Sequence, residues 1–245
     1  MTEFWISLVW LTTIFFGATM LQTITGFGFA LIVMPLVTLV LGLPIAAPLV
    51  ALTGLTLYAI NVVRYRNALI AREVTRLGIA AALGVPVGVW ALTHVDEAII
   101  KTLLGAILIG YALYSWARPF VMPGLSLRWS LLAGFLSGCL GGAFNMPGPP
   151  LIVYGSLQAW GKDEFRGVLQ ALFFISSLLT VALHMLAQRV TPSVLTFYAC
   201  AVPALGLGIF AGARLDRRVN RERFRALVIG MILLLGVSLL WRVGA

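Results

Sequence analysis

The sequence predicts an all-α, polytopic integral membrane protein made of two inverted-topology repeats with broken, re-entrant helical hairpins. Of its 245 residues, 61% are hydrophobic and only 10% are charged, which is more apolar surface than a soluble domain needs. No charged side chain occurs in the 60 residues between Glu3 and Arg64, nor in the 33 between Arg128 and Lys162. At about 20 apolar residues per membrane-spanning helix, the first run alone holds three passes. An internal likeness between the two halves supplies the rest of the prediction.

Apolar runs and their breakers place the elements in order. Helical segments are expected at roughly 4–23, 29–42, 44–63, 77–93, 98–117, 129–141, 149–160, 165–187, 193–213 and 224–241. Pro44, Pro149 and Pro192 stand near expected helix starts, where a missing N–H costs little. The opening residues, MTEFW, lack the basic region of a cleavable signal peptide, so the first helix is expected to be retained. Two Arg-rich loops are expected, at 64–76 and 214–225; the second holds six Arg against Asp216 and Glu222. The stretch PFVMPG, Pro119 to Gly124, reads as part of a linker, giving a first repeat over 1–118, a cytoplasmic linker over 119–128 and a second repeat over 129–245.

An offset of 120 without gaps pairs residues 28–96 with 148–216 and makes 12 of 69 positions identical. Roughly six would be expected from so Leu-, Ala- and Gly-rich a composition. Among the matches are Gly28/Gly148, Leu31/Leu151, Ile32/Ile152, Val33/Val153 and Gly88/Gly208, and the best run falls on the two helix-breaking motifs. In the first half the Arg-rich loop precedes the acidic HVDE, His94 to Glu97; in the second, LAQRV precedes the Arg-rich 214–225. Under the positive-inside rule, matching loops then lie on opposite sides of the membrane, as in the inverted repeats of many transporters. The expected location is the inner (cytoplasmic) cell membrane, with both Arg-rich loops inside. The net charge of +9 is read as these loops facing anionic lipid rather than as a nucleic-acid surface.

Within NMPGPPLIVYG, Asn145 to Gly155, three prolines and Gly148 interrupt an apolar run. The 33 residues from Trp129 to Gly161 must begin and end on one side if the charge map holds. Two equal legs of that length reach only about 25 Å each, so the run is expected to enter the membrane, break near Gly141 to Gly148, and return. Its counterpart is TITGFGF, Thr23 to Phe29. Broken backbone at membrane depth is tolerated only where protein buries it or it lines a wet cavity. Helices leaving the breaks would present N-termini, each with free N–H groups and about half a positive charge. Two such ends meeting near the midplane would hold a small anion without a buried lysine.

The stretches TGFGFALIVMP (Thr25 to Pro35), GCLGG (Gly138 to Gly142) and GPPLIVY (Gly148 to Tyr154) resemble the duplicated motifs of the sulfite exporter TauE/SafE family. The resemblance covers the whole chain and implies a permease for sulfite, sulfoacetate or other sulfonates. In AFNMP, Ala143 to Pro147, the chain carries bulkier residues than that motif usually has.

The candidate substrate-binding residues are Gln22, Thr23, Thr25, Gly26 and Gly28 at the first break, and Asn145, Gly148 and Pro149 at the second. Their polar side chains would either bond anion oxygens or cap the freed helix ends. Asn61, Gln170 and Tyr58 lie within spans, either gluing helices or lining the path. His184 and Arg64 occupy matching repeat positions; a membrane histidine is a functional candidate and can change charge near neutral pH, though either residue could instead reach to an interface. Cys139 and Cys200 fall in apolar segments without metal-ligand spacing and read as inert thiols.

No Asp or Glu lies inside an expected span, so no carboxylate proton relay is evident. The spans hold no HExxH, no G-x-S-x-G with a partner base and no His/carboxylate cluster, which argues against an intramembrane enzyme. Lys101 and Lys162 sit at helix ends, not deep in a span as a retinal protein requires. A non-transporting scaffold is the remaining alternative. The expected partners are a small anion, the lipid bilayer and a second copy of the chain, with no cofactor, metal or nucleic acid.

Overall fold

The computed structural model describes residues 2–117, 126–158 and 160–215, with six further positions between 229 and 240. Among them the chain is all-α, with helices α1 (Thr2–Thr25), α2 (Phe29–Leu41), α3 (Leu43–Tyr65), α4 (Ala71–His94), α5 (Glu97–Ala117), α6 (Leu127–Phe144), α7 (Gly148–Leu157), α8 (Lys162–Leu186) and α9 (Pro192–Leu215). A short 3-10 turn, Arg66–Ala68, joins α3 to α4. Among the described residues, five helices are long and apolar enough to cross a membrane: α3, α4, α6, α8 and α9. This is a polytopic membrane protein. Residues 119–125 of the linker expected at 119–128, and most of the segments expected at 214–225 and 224–241, lie outside the described residues.

Helix ends follow local chemistry. Asp96 accepts the Ala98 N–H at 2.8 Å and opens α5. Glu164 accepts the Gly161 N–H at 2.7 Å, a reach-back that satisfies a donor at the start of α8. Gly42, at φ 77°, stops α2, and α3 begins at the next residue with Pro44 in its first turn. Pro35, Pro48, Pro86 and Pro203 lie inside helices, as membrane helices tolerate.

One expectation is corrected. The Arg-rich stretch 64–76 is mostly helical, because Arg64 closes α3 and Arg72–Arg76 form the first turns of α4. These helices continue past their apolar portions, and only residues 66–70 connect them.

The chain forms two compact units. The first takes Met1–Leu49, Val95–Arg118 and Thr191–Ala245; the second takes Val50–His94 and Pro119–Val190. In the first unit α1 packs along α9. A Cβ on Gly208 would lie 2.8 Å from the Phe16 carbonyl oxygen and 2.8 Å from Thr19 Cβ, and one on Gly212 2.7 Å from Thr23 Cβ. In the second unit α4 packs along α6. Here Gly84 lies against Gly138, Gly134 against Leu77 and Gly142 against Val85, and a Cβ on Gly88 would lie 2.8 Å from the Ala143 nitrogen. Lipid tails offer no hydrophobic drive between helices, so close backbone approach at small residues supplies the attraction. Outward faces carry large apolar side chains such as Leu83, Val63 and Leu207, each more than 60% exposed, which suits hydrocarbon rather than water.

Candidate functional site: two broken helices

The first break lies in the first unit. After Thr25 the chain turns through Gly26 (φ 89°) and Gly28 (φ 107°) before α2 begins at Phe29. At Gly28 only glycine fits, since its φ is left-handed and a Cβ would fall 2.9 Å from Leu21 Cδ2. Gln22 binds both sides of the turn. Its Oε1 accepts the Phe29 N–H at 3.0 Å, and its Nε2 donates to the Gly26 carbonyl at 3.3 Å. The first bond of the α2 ladder is Ile32 N–H to the Gly28 carbonyl, at 3.2 Å. Phe29, Ala30 and Leu31 therefore carry the N–H groups ahead of it, and Gln22 takes the first. Thr25 Oγ1 donates to the Leu21 carbonyl at 2.9 Å and accepts the Phe27 N–H at 3.2 Å. Thr23 donates to the carbonyl of Thr19 at 2.8 Å. Of the three side chains expected at this break, Gln22 and Thr25 hold its geometry, while Thr23 bonds back into its own helix.

The second break lies in the second unit. Asn145 adopts the left-handed conformation (φ 55°, ψ 24°). Its N–H reaches the Gly141 carbonyl at 2.9 Å, and that of Met146 reaches Leu140 at 3.2 Å. An αL residue with such bonds is a standard helix stop, and Asn is the usual non-glycine choice. Ser137 donates to the Pro147 carbonyl at 2.8 Å. α7 then starts at Gly148 with Pro149 and Pro150 in its first turn. Two prolines remove two of the donors that make a helix start attract anions. The N–H groups ahead of the α7 ladder belong to Gly148 and Leu151, alongside the Asn145 side chain, and all three residues are buried.

By length, α2 rises about 20 Å and α7 about 15 Å, short of the roughly 30 Å hydrocarbon core. Neither crosses alone. α7 is anchored at its far end: Tyr154 donates to Glu73 Oε2 at 2.9 Å and meets Trp160 edge-on at 5.8 Å.

Asn61 and Gln170 meet: Asn61 Nδ2 donates to Gln170 Oε1 at 3.2 Å, both side chains buried. Tyr58 stacks aslant on Phe173 at 5.2 Å. His184 is fully buried in α8, whereas Arg64 is exposed at the end of α3 with its guanidinium 5.5 Å from the Tyr65 ring. The two matching positions therefore occupy different surroundings. Sequence reasoning missed Ser137, Ser176 and Thr180. For the last two a signal existed: they precede His184 at steps of four residues.

Both breaks, their order in the chain and their Gly and Pro content can now be set beside known proteins. The family described as Sulfite exporter TauE/SafE matches residues 11–239. The chain belongs to the sulfite exporter TauE/SafE family. This TauE/SafE chain is 28% identical over 246 aligned residues to the Probable sulfite/organosulfonate exporter TauE of Cupriavidus necator, covering 97% of this chain and 95% of that one. No solved structure matches it. The family is one of membrane transporters, and both breaks fall inside the matched residues of this TauE/SafE chain.

Proposed function

We propose that the protein exports sulfite, sulfoacetate or other small sulfonates across the inner membrane by alternating access of two inverted halves, 1–118 and 129–245. The family match over residues 11–239 carries this reading, and the relative from Cupriavidus necator bears a sulfite/organosulfonate exporter name.

Internal symmetry supports the two-half mechanism. Shifted by 120, the bounds of α3 and α4 fall within one residue of those of α8 and α9. The turn at 26–28 shifts to 146–148, where the second break stands. Packing repeats as well. Gly88 of α4 lies against Cys139 of α6, and Gly208 of α9 against Thr19 of α1; both members of each pair differ by 120. Repeats of this kind supply two interchangeable conformations, the basis of alternating access.

Each half would offer a helix start to the anion. In the first, Gln22 and Thr25 fix the turn ahead of Phe29; in the second, the donors are the Asn145 side chain and the Gly148 and Leu151 N–H groups. A potential of 100 mV, negative inside, is worth about 2.3 kcal/mol per charge, or roughly 50-fold in concentration. Efflux of a monovalent anion then needs no coupling ion.

The test is anion flux in liposomes carrying the purified protein under a potassium-diffusion potential, offering sulfite, sulfoacetate, taurine and chloride in turn. Sulfur-anion efflux that scales with the potential is expected. Silence for every anion, with the protein folded, would end the reading.

A further inference from the structure

Three side chains on successive turns of α8 bury polar atoms that have no hydrogen-bond partner among the described residues: Ser176 Oγ, Thr180 Oγ1 and both ring nitrogens of His184. Their exposures are 1%, 0% and 0%. Other buried hydroxyls of this unit are served: Ser130 and Thr53 bond backbone carbonyls, and Ser137 bonds that of Pro147. Steps of four residues keep the three groups on one helix face.

The file has defined ends. At one, a Cβ on Gly141 would sit 3.3 Å from Ser176 Cβ and 3.4 Å from Pro147 Cβ, which places Ser176 beside the α6–α7 break. At the other, the Arg189 N–H bonds the His184 carbonyl at 2.9 Å, just past the last residue of α8. Eight residues of helix rise about 12 Å, close to half of a roughly 30 Å hydrocarbon core. Unserved polar groups at that depth are found where water or a ligand enters, and an intramembrane histidine marks such paths.

We propose that Ser176, Thr180 and His184 form a polar half-path for an oxyanion, running from the second break to the membrane face at Arg189. Two hydroxyls and an imidazole N–H are donors suited to sulfonate oxygens, and the file holds no carboxylate to repel them. Arg189 supplies positive charge at its mouth. The assignment rests on the transport reading for its substrate class but not for its test.

Cys139 and Cys200 would first be changed to Ala, after which single cysteines replace Ser176, Thr180, His184 and, as a control, Leu178, which is 47% exposed on the outward face of α8. Each variant, checked for monodisperse elution, is treated in proteoliposomes with sulfonatoethyl methanethiosulfonate and with its trimethylammonium counterpart. In either case the thiolate attacks the sulfenyl sulfur and displaces methanesulfinate. Normalised to a free thiol, the anionic reagent is expected to react at the three file positions at least about tenfold faster than at Leu178→Cys, and faster than the cationic one. Unreactive thiols at all three positions, or no preference for the anion, would overturn the half-path. Flux is read in the same vesicles. Transport with unreactive thiols removes the path and leaves the exporter; anionic labelling without flux of any sulfur anion does the reverse.

Discussion

Gln22 reaches seven residues forward to accept the Phe29 N–H at 3.0 Å, so one side chain of α1 caps the start of α2 across the first break. A buried donor left unserved costs about 1–3 kcal/mol, and Gln22→Ala should lower stability by that order. Thr23 bonds only the carbonyl of Thr19 in its own helix, and such back-bonding adds little. Thr23→Val should therefore be close to neutral. Thermal unfolding in detergent compares the two, and equal losses would show that the cap is not what holds the turn.

Gly88 has no room for a methyl group, because the α6 backbone stands against it. Gly88→Ala should force α4 and α6 apart and cost about 1–3 kcal/mol, as overpacking does. Gly110, with open space around it, is the internal control; there Ala should stabilise the helix by up to about 1 kcal/mol. The ratio of folded protein recovered from membranes reads both.

The buried pair Asn61 and Gln170 joins α3 to α8. Asn61→Leu and Gln170→Leu should each destabilise, and the double variant should lose less than the two summed. Side-chain bonds between membrane helices couple by about 0.6 kcal/mol on average, up to about 1.7. A double-mutant cycle in detergent measures the coupling, and additivity would dissolve the pair.

Tyr154→Phe removes the donor that ties α7 to Glu73. A hydrogen bond to a charged group is worth about 1.5–3 kcal/mol, so this change should free the short helix and expose Trp160, which packs on the Tyr154 ring. Tryptophan quenching by iodide should rise in Tyr154→Phe and in Glu73→Ala, and less in Glu73→Gln, whose amide oxygen still accepts. Unchanged quenching in all three would mean other contacts anchor α7.

Most helices were legible because uncharged runs and proline positions mark them. Nine expected segments correspond to α1–α9, with ends displaced by six residues at most, at the start of α4. That start was misplaced because Arg72–Arg76 were read as loop, although charge sets where a helix leaves the bilayer and not where it unwinds. The two helix breaks were legible as locations. Gly26, Gly28, Asn145 and Pro149 all lie at the breaks.

The chain's order of apolar runs, breakers and Arg residues determined that it is a helical membrane protein interrupted twice, since hydrocarbon forbids unpaired backbone and punishes charge. Only tertiary structure decided what the polar side chains do. Gln22, Thr25 and Asn145 hold turns closed, Asn61 finds Gln170 across 109 residues, and Ser176, Thr180 and His184 share a buried face without hydrogen-bond partners among the described residues. Hydrogen bonds are directional and short, so whether a polar group is served depends on which neighbour packing brings within about 3 Å, and residue type alone cannot name that neighbour.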